Sequence, residues 1–416
     1  MSIRDRLSRL DTSAPGPARE PDLREDWIET AERELRVQVL RKDGGMILLR
    51  EGTYPLDSDP HYPALREQGL RARGFHRLAA LDPDPPLNLR KTVFIDTETT
   101  GLAGGSGTYA FLVGMGVIEL DHVVVRQYLL PDFAHEWLML EHLDATFREH
   151  AWTASFNGKT FDLPLLRTRY VLNRMDATLD DLVHVDLLHA ARRLWRDRLP
   201  ACDLQTLERE ILGLDRGEDL PGHLIPQVYF DFIRRRDAMP MRDVLEHNFH
   251  DIVNMVLLSL RLAAIAAEPL THLTHVADRF SFARYLVQSG HVDAGAHMLE
   301  TMLADPALEH DPLYAKLCFL ASLAQKKRGD GAAARRWMET LWERRHVHPR
   351  VVEELAKYYE HGDGDFGAAL AVVRQGLAYL DTIRQLDPRS PALKFLPALR
   401  HREKRLIRRL ARQADG

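Results

Sequence analysis

The sequence predicts an α/β domain with a mixed sheet, followed by an all-α region. Three observations carry this. Between Lys91 and about Ala267, short apolar runs of strand length alternate with amphipathic stretches of helix length. From Pro269 onward strand signals vanish. In that later region a weak internal repeat appears, with small residues at regular helix-contact positions.

The elements follow in order. Residues 1–32 open with a Pro- and charge-rich stretch, a loose lead-in. Leu35–Leu56 alternates on either side of Asp43-Gly44-Gly45, a hairpin signal. Leu81–Leu89, rich in proline, reads as a linker. Val93–Glu98 is the first strand of the mixed segment, and Tyr109–Leu120 and Val123–Leu130 are two more, tightly joined. Glu136–Glu149 and Asp162–Leu172 read as helices on either side of a short strand at Thr153–Phe156. His184–Leu188 is a fifth strand, and Val244–Ala267 a long apolar helix. In the C-terminal region, Gly290-x3-Ala294-x4-Leu299 matches Gly329-x3-Ala333-x4-Met338, and a third copy runs from Ala368-Ala369 to Leu377. Offsets of 39 and 36 residues suggest tetratricopeptide-like helix pairs. The expected domains are 1–90, an N-terminal extension with hairpin and linker; 91–268, the α/β domain; and 269–416, the helical repeats.

Composition narrows the function classes. The 416 residues are 45% hydrophobic and 28% charged, with a net charge of −5. The whole molecule is therefore no general polyanion binder, and nucleic-acid contacts need local basic patches. Two cysteines, Cys202 and Cys318, form no metal-spaced pair and suit a reducing compartment. The N-terminus lacks an apolar signal core, and no run is expected to approach membrane-spanning length, so the expected location is the cytoplasm, with no membrane partner.

Chemistry concentrates in T-V-F-I-D-T-E-T-T-G-L at 92–102. Residues i and i+2 of a strand share a face, so Asp96 and Glu98 project together from a strand end. Two such acids repel, and hard divalent cations with their preference for oxygen relieve the repulsion. Asp162 follows Asn157-Gly158-Lys159-Thr160-Phe161 at a loop-to-helix junction. By itself it reads as a first-turn acid favoured by the helix dipole. Asn157 and Phe161 offer an amide and a ring to a nucleotide. Asp251 lies in an apolar helix, four residues after His247 on the same face, and needs a partner there. An arginine among 234–236 is one candidate.

Together, D-T-E-T-T-G-L, N-G-K-T-F-D and H-N-F-H-D resemble the three motifs of the DEDD, or DnaQ-like, exonucleases of the ribonuclease H-like superfamily. A closer resemblance, to the bacterial YprB family, takes in G-L-A-G-G-S-G-T-Y-A-F-L-V-G (101–114), H-V-D-L-L-H-A-A-R-R-L-W-R (184–196) and L-P-G-H-L-I-P-Q-V-Y-F (220–230). It covers roughly 35–267. It implies a ribonuclease H-like fold and phosphodiester hydrolysis with two Mg2+ or Mn2+. Asp96, Glu98, Asp162 and Asp251 would be the ligands, and a 3′→5′ exonuclease acting on single-stranded DNA or RNA ends is the expected activity. Thr99, Gly101 and Leu102, with Asn157 and Phe161, would hold the terminal nucleotide. The family's general base is a histidine five residues before the last Asp or a tyrosine four before it. Here those places hold Glu246 and His247. His247 is therefore the expected base, with His250 the competitor about 100° round the helix.

Two other motifs lead nowhere. Gly105-Ser106-Gly107-Thr108-Tyr109-Ala110 fits a dinucleotide fingerprint in letters, but strand follows it where a helix is required. His247-x2-His250-Asp251 lacks further histidines at ligand spacing for a transition metal. Basic clusters stand at Arg192–Arg198, Arg234–Arg236 and Arg400–Arg412. Arg192 and Arg193, shortly after a strand of the α/β domain, are candidates for phosphate contacts. The helical repeats suit recruitment of a protein partner. Competing readings are a non-catalytic nucleic-acid-binding adaptor and a structure-specific endonuclease on the same fold.

Overall fold

The structure is a computed structural model that describes residues 26–81, 87–101, 107–217, 219–346 and 348–414. It divides into two compact units, the first ending at Leu273 and the second beginning at Thr274. The first is built on one seven-stranded sheet. In chain order its strands are β1 (Val37–Lys42), β2 (Gly45–Pro55), β3 (Thr92–Thr99), β4 (Ala110–Glu119), β5 (His122–Leu129), β6 (Trp152–Ser155) and β7 (Val183–Asp186). Across the sheet they run β1-β2-β5-β4-β3-β6-β7. The first four pairings are antiparallel, and β3-β6 and β6-β7 are parallel. That is the mixed α/β sheet read from the sequence.

The N-terminal hairpin is not a separate extension. β2 runs antiparallel to β5 from Leu48↔Leu129 to Pro55↔His122, so β1 and β2 widen the same sheet. The reason is an open edge: β5 would otherwise present unpaired backbone N–H and C=O groups. The residues 82–86 of the expected linker lie outside the described residues.

Helices cover both faces. They include α1 (Asp26–Leu35), α2 (Tyr62–Glu67), α3 (Phe75–Ala79), α4 (Glu136–Arg148), α5 (Asp162–Leu172), α6 (Leu187–Trp195), α7 (Ile225–Arg235) and α8 (Met241–Ala267). Alternation along β3 separates two cores. Val93 and Ile95 face Leu140, Leu143, Leu163 and Leu166 of α4 and α5. On the other face α8 packs against β3, β4 and β5. α8 has 27 residues and by length and composition is apolar enough to cross a membrane, so the long apolar helix expected at Val244–Ala267 does reach spanning length, contrary to the expectation that no run would. Here 72% of its most apolar window is buried, as befits a central core helix.

Two glycines of β4 set how closely α8 approaches. A Cβ at Gly114 would lie 2.2 Å from Asn248 Oδ1, and one at Gly116 would lie 2.3 Å from Ile252 Cγ2. Any side chain there would push α8 off the sheet. Gly114→Ala should therefore destabilise the protein by about 1–3 kcal/mol, the usual cost of overpacking. Thermal unfolding of the variant measures this, and an unchanged midpoint would refute the close-packing account.

The second unit is all helical. It contains α9 (Val276–Gln288), α10 (Val292–Leu303), α11 (Tyr314–Lys327), α12 (Gly331–Glu343), α13 (Pro349–Tyr358), α14 (Phe366–Leu386) and α15 (Leu396–Ala414). Each packs chiefly on its neighbours in sequence. The repeat noted in the sequence falls on the turns into α10, α12 and α14. Gly290, Gly329 and Gly364 have φ of 94°, 84° and 67°, a conformation that glycine adopts without Cβ strain. Asp330 and Asp365 then cap α12 and α14 by accepting from Ala333 N and Ala368 N. Both cysteines are free.

Candidate active site

The carboxyl end of β3 gathers the acids. Asp96 and Glu98 project toward α8, while Thr97 turns to the opposite face with Val93 and Ile95. A register shift between Glu98 and Thr99 ends the regular pairing with β4, the sort of irregularity that re-aims side chains at a strand end.

α8 delivers three consecutive side chains to different tasks. Glu246 pairs with Arg50 of β2, which removes it from the acid cluster. Asn248 is buried; its Nδ2 donates to Asp96 Oδ2 at 2.8 Å, and its Oδ1 accepts from Gln127 of β5 at 2.8 Å. His247 turns toward Asp251, one helical turn on, with Nε2 3.6 Å from Asp251 Oδ2. The closeness of α8 to Gly114 is what lets Asn248 reach Asp96.

The loop from Gly213 to Leu220 adds two residues that sequence reasoning missed. His247 Nδ1 donates to both oxygens of Asp219 at 2.9 Å. This fixes the tautomer, leaving Nε2 of a neutral ring as a proton acceptor. Arg216 is the partner of Asp251, in place of the expected arginine at 234–236. It also pairs with Glu208 and Asp219. Arg234 and Arg236 are engaged elsewhere, with Asp231 and the Pro131 carbonyl. A charged loop shows no periodicity, so only its position just before the L-P-G-H-L stretch could have pointed to these residues.

Asp162 opens α5 as expected and is nearly buried. It accepts from the Thr97 hydroxyl. The turn before it leaves no spare room: a Cβ at Gly158 would lie 2.3 Å from Ser155 Oγ and 2.8 Å from Asp162 Oδ2. Asn157, at φ 67°, and Lys159 both donate their backbone N–H to Asp186 at the end of β7. Asp186 thus shapes the second motif from the H-V-D-L-L stretch, a role that its local pattern does not reveal. Phe161 is 56% exposed beside Asp162, an open ring at the edge of the site.

Electrostatics marks the cluster as short of positive charge. Burial pushes the Asp96 carboxyl up to about 8, with Asp251 and Asp162 adding to the shift. Burial, then the charge of Asp96, holds Glu98 well above the carboxylate range. Asp162 is pushed up to about 6, mostly by burial, with the Thr97 hydrogen bond opposing. Burial disfavours charge on His247, yet the Asp219 hydrogen bond and the Asp251 and Glu98 charges outweigh it and raise the ring to about 9. His250 moves the other way, lowered by burial and by Arg216, and packs edge-on to Phe249. It makes no hydrogen bond to a carboxylate among the described residues.

An all-oxygen set of crowded carboxylates fits Mg2+ or Mn2+ by donor chemistry. Asp96, Glu98, Asp162 and Asp251 are the residues that could hold such ions. Among the described residues no three acidic, histidine or cysteine side chains converge on one point as they stand. Thr97 engages Asp162 and Arg216 engages Asp251.

The remaining expected contacts divide. Thr99 Oγ1 donates to the Gly101 carbonyl at 3.1 Å, which keeps both beside the acids. Leu102 lies outside the described residues. Arg193 is not at the site: its guanidinium donates to the Leu78 carbonyl of α3. That segment adjoins the far end of α8, since a Cβ at Gly74 would lie 2.8 Å from Ala266 O. Ala266 is 15 residues, or about 22 Å of helix, beyond Asp251. Arg192 is exposed on the same turn as Arg193. Ala110–Glu119 is a strand, so the glycine run before it opens no nucleotide-binding helix.

Two comparisons bear on this arrangement. Residues 93–263 match the RNase H superfamily. The chain is 34% identical over 299 residues to the uncharacterized protein YprB of Bacillus subtilis (strain 168), covering 70% of each chain. The chain belongs to the YprB family. The superfamily match brackets Asp96, Glu98, Asp162, His247 and Asp251, and also Arg216 and Asp219. This YprB-family chain therefore has a nuclease-type fold, and its acid cluster lies within the matched domain.

Proposed function

We propose that the protein is a metal-dependent 3′→5′ exonuclease acting on single-stranded nucleic-acid ends. The observation that carries this is the cluster of Asp96, Glu98, Asp162 and Asp251 at one end of β3, with His247 held beside it by Asp219. Divalent cations on those carboxylates would polarise the scissile phosphate and acidify the attacking water. Cations on Glu98 and Asp251 would offset the charges that keep the ring protonated, so that His247 accepts the proton at Nε2 while Asp219 holds the ring through Nδ1 and stabilises the imidazolium that forms. Phe161 stacks on the terminal base, and Thr99 and Gly101 line the pocket for its sugar and phosphate. The open ring of Phe161 supports that assignment. The helix pairs of the second unit, entered through glycine turns, support a tetratricopeptide-like module for recruiting a protein partner.

The deciding experiment is a panel of end-labelled DNA and RNA oligonucleotides with Mg2+ or Mn2+. The expected result is stepwise shortening from the 3′ end, blocked by a 3′ modification, with circular single strands resistant. Cleavage of circles would make the protein an endonuclease. His247→Gln should lower kcat by about 10²–10⁴-fold, the usual worth of a positioned general base. Equal activity in that variant would remove His247 from the mechanism.

One observation favours a second reading, a non-catalytic nucleic-acid-binding adaptor. Arg216 already neutralises Asp251, as a binding site without metal would require. Titration of Mn2+ by calorimetry separates the two, since the adaptor would take up no Mn2+ at the cluster.

A further inference from the structure

Within the second unit lies a cavity of about 600 Å³. It runs across the first helices of successive pairs. Phe280, Arg284 and Gln288 line it from α9 at four-residue spacing, which places them on one helical face. Phe319 and Leu323 of α11 continue the wall, and Tyr379 of α14 stands 41% exposed at its margin. Leu341 and Val351 are buried behind it.

Its charge is one-sided. Arg284, Lys316, Arg345 and Arg350 line the cavity, and among the described residues no Asp or Glu does. In a chain of net charge −5 this is a local reversal of sign. Lys316, Arg345 and Arg350 are exposed, and their side chains have no carboxylate partner among the described residues. Elsewhere in the same unit basic side chains are commonly paired, as in Arg344–Glu309, Lys326–Glu354 and Arg402–Glu360.

We propose that this cavity binds an acidic peptide segment carrying aromatic or large aliphatic side chains. The apolar wall takes those side chains, and the basic rim takes flanking carboxylates. A volume of about 600 Å³ falls in the range of side-chain and ligand pockets, about 300–1,000 Å³. A single-stranded nucleic acid asks for something else: cations tracking a backbone and flat rings open to successive bases. Here aliphatic side chains form much of the wall and the cations surround a hollow. The anchoring-pocket mode of peptide recognition matches this shape.

The test pans full-length protein against a display library of random 12-residue peptides. The expected result is enrichment of Asp and Glu around Trp, Phe or Leu. The most enriched peptide, made with a fluorescent label, should bind at least about tenfold more weakly to the K316E/R350E variant, because reversed rim charges repel it. Phe319→Ala should weaken it as well. Nuclease activity of these variants should stay at the wild-type level, so this test stands or falls apart from the exonuclease assignment. The proposal is overturned if no peptide is enriched, if enriched peptides lack acids or large apolar residues, or if K316E/R350E binds them equally. It is also overturned if a labelled dT12 oligonucleotide binds the protein and loses that binding in K316E/R350E.

Discussion

Asp96→Asn should abolish hydrolysis while leaving the protein as stable as the wild type or more so. A carboxylate that carries the metal contributes several kcal/mol to the transition state, and about 1.36 kcal/mol is tenfold in rate. A loss beyond about a thousandfold is therefore expected in the oligonucleotide assay. Stability moves the other way because folding must either bind a proton to Asp96 or bury its charge. Burial and the nearby Asp251 and Asp162 raise it to about 8. Asparagine removes the charge and can still meet Asn248. A variant that is inactive because it is unfolded would undercut the first conclusion, so the thermal midpoint is measured alongside.

The same shift fixes a pH dependence. In the unfolded chain Asp96 releases its proton near pH 4, whereas the folded, metal-free protein holds it to about 8. Between those values the folded state binds the extra proton, so stability falls as pH rises. His247 acts in the same direction. Its contribution is complete below its unfolded pKa of about 6.5 and is lost as pH rises through about 9. The urea midpoint of metal-free protein should thus decline from pH 5 to pH 9, less steeply in Asp96→Asn. Saturating Mn2+ should flatten the curve, because a bound cation replaces the proton. A wild-type slope no steeper than that of Asp96→Asn would count against the cluster's electrostatics.

Much of this site was legible in the sequence because its signals are local. The two-residue spacing of Asp96 and Glu98 fixes their shared face in any strand. The loop-to-helix setting of Asp162 and the four-residue spacing of His247 and Asp251 are equally local. What escaped is non-local. Nothing near Asp219 reveals that it meets a histidine 28 residues later. The sheet edge that captures the N-terminal hairpin is formed by β5, far along the chain. Arg193 misled for the same reason. Its place after a strand suggested the site, but α6 carries it toward α3 and away from the acids. Glu246 is the instructive case. It stands where the exonuclease motif that H-N-F-H-D resembles has a histidine, and only the position of Arg50 shows that it is otherwise engaged.

Arg216→Ala should produce the largest loss of stability and, at the same time, tighten Mn2+ binding. Arg216 is 8% exposed and pairs with Glu208, 2% exposed, and with Asp251, 19% exposed. Removing one member of a buried ion pair leaves its partners charged and unsolvated, which costs about 3–5 kcal/mol. For a unit of this size about 2–4 °C is lost per kcal/mol, so a fall of roughly 10 °C is expected in metal-free protein. The variant also frees Asp251 for a cation, and a ligand at a hundredfold its Kd returns about 2.7 kcal/mol. Mn2+ should therefore raise the midpoint of Arg216→Ala more than that of the wild type, and calorimetry should show a lower Kd. Arg216→Lys retains one charge without the planar fork that reaches several carboxylates, so it should fall between the two. If Arg216→Ala unfolds at the wild-type temperature without metal, the arginine is not the counter-charge of this cluster. If it is destabilised but Mn2+ does not restore it, Asp251 is not a metal ligand, and the acids hold Arg216 for structure alone.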